Sequence, residues 1–159
     1  MAPAPQGVVH GFGLVPAPEH PAGPNGQTYR PAAELTYTAT TGGRRQRLRA
    51  FVELHHPATG TEHTAEQLAA CARLWERRWK AFPSVLVVLT GAAAADVGTT
   101  VEGLCLAAEE QPAVAELLAA VPAGAACLED LVQHGPAAPV WHPLGDNGRR
   151  PHGWTRLQP

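Results

Sequence analysis

A chain of 159 residues, 45% of them hydrophobic, is long enough for one domain with a real core and too short for two of ordinary size. Its formal charge of −2 sets up no global attraction to nucleic acid, so any such surface must be local. Three widely spaced cysteines, Cys71, Cys105 and Cys127, with no CxxC pair, argue against a disulfide framework or a zinc ribbon and read as buried free thiols.

Lys80 is the only lysine among twelve basic residues, a bias of GC-rich coding rather than of mechanism. The first residues carry neither the basic nor the apolar run of a secretory leader. The longest apolar stretch, around Ser84 to Thr90, is too short to span a bilayer. The expectation is a cytoplasmic protein with no membrane partner.

In chain order, residues 1–27 read as a flexible N-terminal segment with one short strand at Val8 to Leu14 and a Pro-, Gly- and Asn-rich loop from 16 to 27. Tyr29 to Thr40 is the first convincing strand, with Leu35, Tyr37 and Ala39 alternating against Glu34, Thr36 and Thr38. Thr41-Gly42-Gly43 marks a turn, and Arg47 to His55 returns as the second strand of a hairpin. Leu48, Ala50, Val52 and Leu54 share one face of that strand; Glu53 and His55 lie on the other.

A helix is predicted over about 64–80, capped by Thr64 with Gln67 completing a capping box. Leu68, Cys71, Ala72, Trp75 and Trp79 form its apolar face, and Pro83 forbids its continuation. Ser84 to Thr90 is a continuous β-branched and leucine run, the pattern of a strand buried on both faces. Thr99, with Glu102, is expected to cap a second helix, and Pro112 to break it at Gln111. Val114, Leu117, Leu118 and Val121 share the face of the next helical segment. Ala125 to Leu128 is a candidate last strand, and Leu128 to His134 a short helix closed by Gly135. A Pro- and Gly-rich tail pinned by Trp141 and Trp154 follows. The fold class is therefore α/β, a mixed central sheet flanked by helices.

Three segments in this order resemble the replication-relaxation family of plasmids and integrative elements. They are Tyr29-Arg-Pro-Ala-Ala-Glu-Leu35, Ala50-Phe-Val-Glu-Leu-His55, and Leu74-Trp75 through Phe82-Pro-Ser-Val-Leu-Val-Val88. In the family an Arg-Pro-Asp strand precedes a Phe-x-Glu-x-Asp strand, a helix and a Phe-Pro-x-Val-Leu strand. Gly135-Pro-Ala-Ala-Pro-Val-Trp141 is similar to the family's ending. The likeness spans residues 28–142, taken as the expected domain, and leaves 143–159 as a surface-wrapping or disordered tail. It implies a restriction-endonuclease-like fold of the PD-(D/E)-x-K kind. Family members usually carry an N-terminal winged helix, for which there is no room before Val8 in this sequence.

The resemblance also implies a site. Such nucleases hold Mg²⁺ with carboxylates on adjacent strands, and the metal activates water. The first carboxylate position falls on Ala32, which cannot bind metal; Glu34 lies on the same strand face, about 7 Å further along. The second maps to Glu53. The third maps to His55, where the family has an acid, and imidazole suits Mg²⁺ poorly. The candidate catalytic set is thus Glu34, Glu53 and His55, with Glu53 and His55 as candidate metal ligands. His56 and His63 in the following loop offer a second route to a Zn²⁺ or Mn²⁺ site.

The alternative for Glu53 is a solvated carboxylate or an arginine partner. With one resembled ligand of three in place, no resident cofactor is expected, and Mg²⁺ or Mn²⁺ only if the site is active. Arg44, Arg45, Arg47 and Arg49 on the hairpin, with Arg73, Arg77, Arg78 and Lys80 on the helix, are candidate phosphate contacts; the alternative is a solvated face with Glu76 paired to Lys80.

Three functions compete. One is a non-catalytic nuclease-fold module that binds DNA, or a replication or mobilisation protein. The second is a metal-dependent nuclease using Glu34, Glu53 and His55. The third is a truncated structural remnant with no DNA role.

Overall fold

The computed structural model describes residues 9–15, 19–21, 26–41, 43–77, 82–91, 96–136 and 138–145. Its main sheet follows from one sequence feature, the run Ser84–Leu89. This strand, β6, is buried at every position. A strand with two apolar faces must have cover above and below and a neighbour on each side. It gains both neighbours in parallel: β5 (Arg44–His55) on one side and β7 (Ala123–Cys127) on the other. Parallel neighbours require crossovers, supplied by helix α1 (Gly60–Glu76) and by α2 (Val97–Glu109) with α3 (Pro112–Ala120).

Antiparallel strands complete the sheet. β4 (Ala33–Thr41) pairs with β5 through a tight hairpin, Thr41 opposite Arg44. Gly43 in the two-residue turn has φ +78°, the left-handed conformation such turns favour. β1 (Val9–Val15) runs antiparallel along β4, and β8 (His142–Pro143) along β7. The order is β1-β4-β5-β6-β7-β8, a mixed α/β arrangement with helices packed on it.

Two cores form, one per sheet face. On the first, Phe51, Val85, Val87, Leu89 and Ala125 meet Leu68, Cys71 and Ala72 of α1, Leu104 of α2, and Val114 and Leu117 of α3. On the second, Leu35, Tyr37, Leu48, Ala50, Val52, Leu86, Val88 and Ala126 pack with Trp141, and with Leu131 of α4 (Leu128–His134). The Trp141 indole N–H donates to the Pro136 carbonyl at 2.8 Å, so its polar edge is satisfied while its rings are buried.

Several expectations need correction. The first strand does not run from Tyr29 to Thr40. Thr28–Tyr29 is a separate strand, β3, pairing with β2 (His20–Pro21) in a two-stranded sheet, and β4 begins only at Ala33. Pro31 lacks the N–H a ladder needs, so the chain breaks there. Helix α1 starts four residues before Thr64. Its cap position is Thr59, with no side-chain capping bond, and the Thr64 hydroxyl is engaged elsewhere. The cap of α2 is Asp96, whose carboxylate accepts from the Thr99 N–H at 3.1 Å and the Thr99 hydroxyl at 2.8 Å. The boundary after 142 falls inside β8, and Leu144 beyond it is buried.

Leu54 is 56% exposed although it alternates with buried Val52, because it lies at the uncovered end of its face. Gln111 and Pro112 do open α3, and Gly135, at φ +81°, closes α4. Trp79, Arg78, Lys80 and Trp154 lie outside the described residues. Among the described residues, no helix is long and apolar enough to cross a membrane.

The contrast between Trp141 and Leu54 is testable. Trp141→Ala, at a position 1% exposed, should lower unfolding free energy in urea by about 3–5 kcal/mol. Leu54→Ala should change it by no more than about 0.5 kcal/mol. Comparable losses at both positions would contradict the two-face assignment.

Candidate functional site

The candidate residues are organised by β5. Alternation along this strand puts Arg45, Arg47, Arg49, Phe51, Glu53 and His55 on the face that α1 covers, and Arg44 with Leu48, Ala50 and Val52 on the other. The shared face changes character at Ala50. From Ala50 to His55, β5 is paired with β6 and lies under the helices; from Arg44 to Arg49 it has no β6 partner.

Glu53 lies in the covered half and is 5% exposed. It is neither solvated nor paired with an arginine. The Tyr29 hydroxyl donates to its Oε1 at 2.5 Å. Cys71 of α1 interacts with the same hydroxyl. Burial pushes the Glu53 carboxyl up to about 7, against the opposing pull of the Tyr29 hydrogen bond. Burial likewise pushes the Cys71 thiol up to about 12, and it raises the Tyr29 hydroxyl far above its usual range, with Cys71 and Glu53 adding to the shift. The three groups form a closed, proton-retaining cluster. Tyr29 and Cys71 were not legible as its members, because they reach Glu53 from other elements.

His55 is 3% exposed. Its Nδ1 is hydrogen-bonded to Thr64 Oγ1 at 2.7 Å, and its carbonyl accepts from the Thr90 N–H at 2.8 Å and the Thr90 hydroxyl at 3.0 Å. Burial, with His56 beside it, holds the imidazole below its ordinary pKa, which favours the neutral ring. His56 Nδ1 accepts from the Ala58 N–H at 3.0 Å, and its ring lies over Gly91. A Cβ at Gly91 would come within 2.9 Å of His56 Nε2, and φ there is +65°, so glycine is required twice over. His63 is exposed on α1.

Glu34 does not converge with Glu53. Its register partner is Phe51. Its Oε1 pairs with His20 Nε2 at 3.0 Å, and its Oε2 accepts from Arg49 Nη2 at 3.3 Å. The β4–β5 ladder begins with Ala33 opposite Val52, so Ala32, exposed, lies before it and is not among its pairs. Among the described residues no three His, Cys, Asp or Glu side chains are arranged to hold a metal ion. One buried carboxylate that favours its proton and a histidine tied to threonine do not fit Mg²⁺, which needs several converging oxygens. The expected metal pair, Glu53 and His55, is engaged by protein groups.

The arginines present a different picture. Arg44, Arg45, Arg47, Arg73 and Arg77 are exposed. Arg49 is 43% exposed at its side chain even while paired with Glu34. The crossover returns the chain from α1 to the level of Ala50, so Arg73 and Arg77, at the helix C-terminus, stand near the base of the projecting hairpin. The net charge of −2 hides a segregation. Residues 81–145 contain no Lys or Arg, and they carry Asp96, Glu102, Glu109, Glu110, Glu116, Glu129 and Asp130. Half of the fourteen acidic side chains thus lie between Asp96 and Asp130, a stretch without a basic one, while Glu62, Glu66 and Glu76 share α1 with Arg73.

No family model and no curated protein sequence matches the chain.

The buried carboxyl has a measurable signature. Glu53 holds its proton to about pH 7 when folded, against 4.5 for the ordinary group. Between those values the folded state binds a proton the unfolded chain has released, so this contribution is full below 4.5 and is lost as pH rises toward 7. His55 acts in the opposite sense: its contribution is present above 6.5 and lost as pH falls. Glu53→Gln should remove the first effect and leave the second. Relative to the parent, the variant should gain roughly 3 kcal/mol between pH 4 and pH 8 in urea denaturation. Parallel stability curves would show that Glu53 does not titrate in this range.

Proposed function

We propose that this chain is a non-catalytic nucleic-acid-binding module with a nuclease-like α/β fold, acting in replication or mobilisation of a plasmid or mobile element. The observation that carries the binding reading is the row Arg45, Arg47 and Arg49 on one face of a projecting hairpin, with Arg73 and Arg77 near its base. Guanidinium groups at this density on an exposed surface release counterions when they neutralise phosphates, a sequence-independent source of affinity. The acidic helices oppose binding elsewhere on the surface and so orient the molecule toward its basic end.

The restriction-endonuclease-like assignment draws support from the order of elements. An antiparallel β1-β4-β5 unit leads through a helical crossover to a parallel, fully buried β6, with Glu53-Leu54-His55 on the strand before the crossover. The non-catalytic part rests on the engagement of Glu53 and His55 inside the protein. A metal-activated water would have to displace Tyr29 from Glu53 and would find Glu34 engaged by His20 and Arg49. Nothing in the geometry favours the nuclease that would use Glu34, Glu53 and His55.

Two measurements test this reading. Replacing Arg45, Arg47, Arg73 and Arg77 together with alanine should weaken DNA binding, followed by fluorescence anisotropy at low salt, by at least about tenfold and flatten its salt dependence. Unchanged affinity would remove these arginines from the interface, and an absence of DNA binding by the parent would leave the structural-remnant alternative. Incubation of DNA with the protein and Mg²⁺ should give no cleavage above background. Mg²⁺-dependent cutting that Glu53→Ala abolishes would establish the nuclease instead.

A further inference from the structure

We infer that the projecting arm takes a single nucleic-acid strand, its phosphates laid along β5, rather than a duplex; the inference rests on the nucleic-acid reading and specifies its ligand. The argument begins with length. β6 starts opposite Ala50, so the six residues Arg44 to Arg49 carry β5 past it, with β4 and β1 alongside. At about 3.4 Å per residue the arm is roughly 20 Å long.

The register then gives the arm's face its relief. Across the strands it sets Arg47 beside Thr38 and Gly11, and Arg49 beside Thr36 and Gly13. Side-chain length thus falls from arginine at β5, through threonine at β4, to glycine at β1. Among the described residues, the β2–β3 ribbon meets this face at its lower end, where His20 meets Glu34 and Phe51 and Tyr29 meets Phe51. Above that level Arg45 and Arg47 are exposed, and Thr36 and Thr38 are half-buried. The result is a ledge, cationic along one side and low along the other.

A single strand suits this ledge in two respects. Arginines at every second position repeat at about 7 Å along β5, on the order of the spacing of successive phosphates in an extended strand, so one guanidinium can serve each nucleotide. From β5 to β1 is two strand spacings, about 10 Å, which leaves room for sugar and base over the threonine hydroxyls and glycine backbone. Arg49 keeps free donors beyond the one Glu34 accepts, since a guanidinium has five N–H groups.

A duplex suits it less well. The major groove admits a helix or a two-stranded ribbon, and this arm is three strands wide. A straight row laid against the outside of a duplex loses contact as the phosphates wind away from it. The described side chains of this face include no aromatic ring on the arm itself, so binding should be electrostatic and tolerant of sequence.

The test measures anisotropy of a short oligothymidylate, an oligouridylate of the same length and a duplex of the same length, each titrated with salt. Both single strands should bind more tightly than the duplex. Preference for one of them identifies DNA or RNA as the source. Arg45→Ala, Arg47→Ala and Arg49→Ala combined should lower the single-strand salt slope by about 2, as expected for three lost phosphate contacts. Arg44→Ala removes a like charge from the opposite face and should lower it by well under 1. Equal or tighter duplex binding that the triple variant still weakens would overturn the single-strand inference and leave nucleic-acid binding standing. A triple variant with parental slope, or an Arg44 variant equally impaired, would overturn the ledge. Failure of all three probes to bind at low salt would overturn both.

Discussion

The burial of β6 on both faces is the constraint from which the rest follows. Six consecutive buried residues need parallel partners and helices, and these come from crossovers. The same strand sets where β5 changes role. Below Ala50, β5 is a central strand whose outward residues are sealed by α1. Above it, β5 is free of β6, and the same face reaches solvent. One alternating register therefore yields Phe51, Glu53 and His55 in the interior and Arg45, Arg47 and Arg49 outside. The sharp change in chemistry along one strand follows from the end of its neighbour.

Glu53 shows what sealing costs. A carboxylate under a helix loses its water, and one phenolic hydrogen bond does not restore it. The group meets the penalty by keeping its proton to near neutrality. Tyr29 bridges Glu53 and Cys71, and through Phe51 it packs against Phe82 at the approach to β6. The β2–β3 ribbon is therefore attached to the main sheet by a mixed polar and aromatic contact rather than by strand pairing.

Much of the fold was legible because local rules and tertiary demands agreed. The β-branched run at Ser84–Leu89, the Gly42-Gly43 turn, the Gln111-Pro112 break and the Gly135 stop each act within a few residues. What could not be read depended on distant partners. Thr64 has the look of a helix cap, but the His55 ring claims its hydroxyl from nine residues away and the helix starts a turn earlier. β8 has two residues and no pattern of its own; it exists because β7 offers an edge. Of the site, the shared face of Glu53 and His55 followed from strand alternation. Their environment did not, since Tyr29 lies 24 residues from Glu53 and no spacing rule connects them. Arg45 and Arg47 are neighbours of Arg44 in sequence, and only the pleat separates their faces.

The two halves of β5 also keep a buried carboxyl and an exposed arginine row apart on one strand. A second carboxylate beside Glu53 would set two like charges against each other in an enclosed space, tolerable only with a cation between them. A single protonated carboxyl satisfied by tyrosine can be sealed under α1. The arm contributes nothing to that balance, because its arginines begin where β6 ends. An exposed arginine row and a sealed carboxyl are therefore compatible on one strand: changing the interior leaves the register of Arg45, Arg47 and Arg49 untouched.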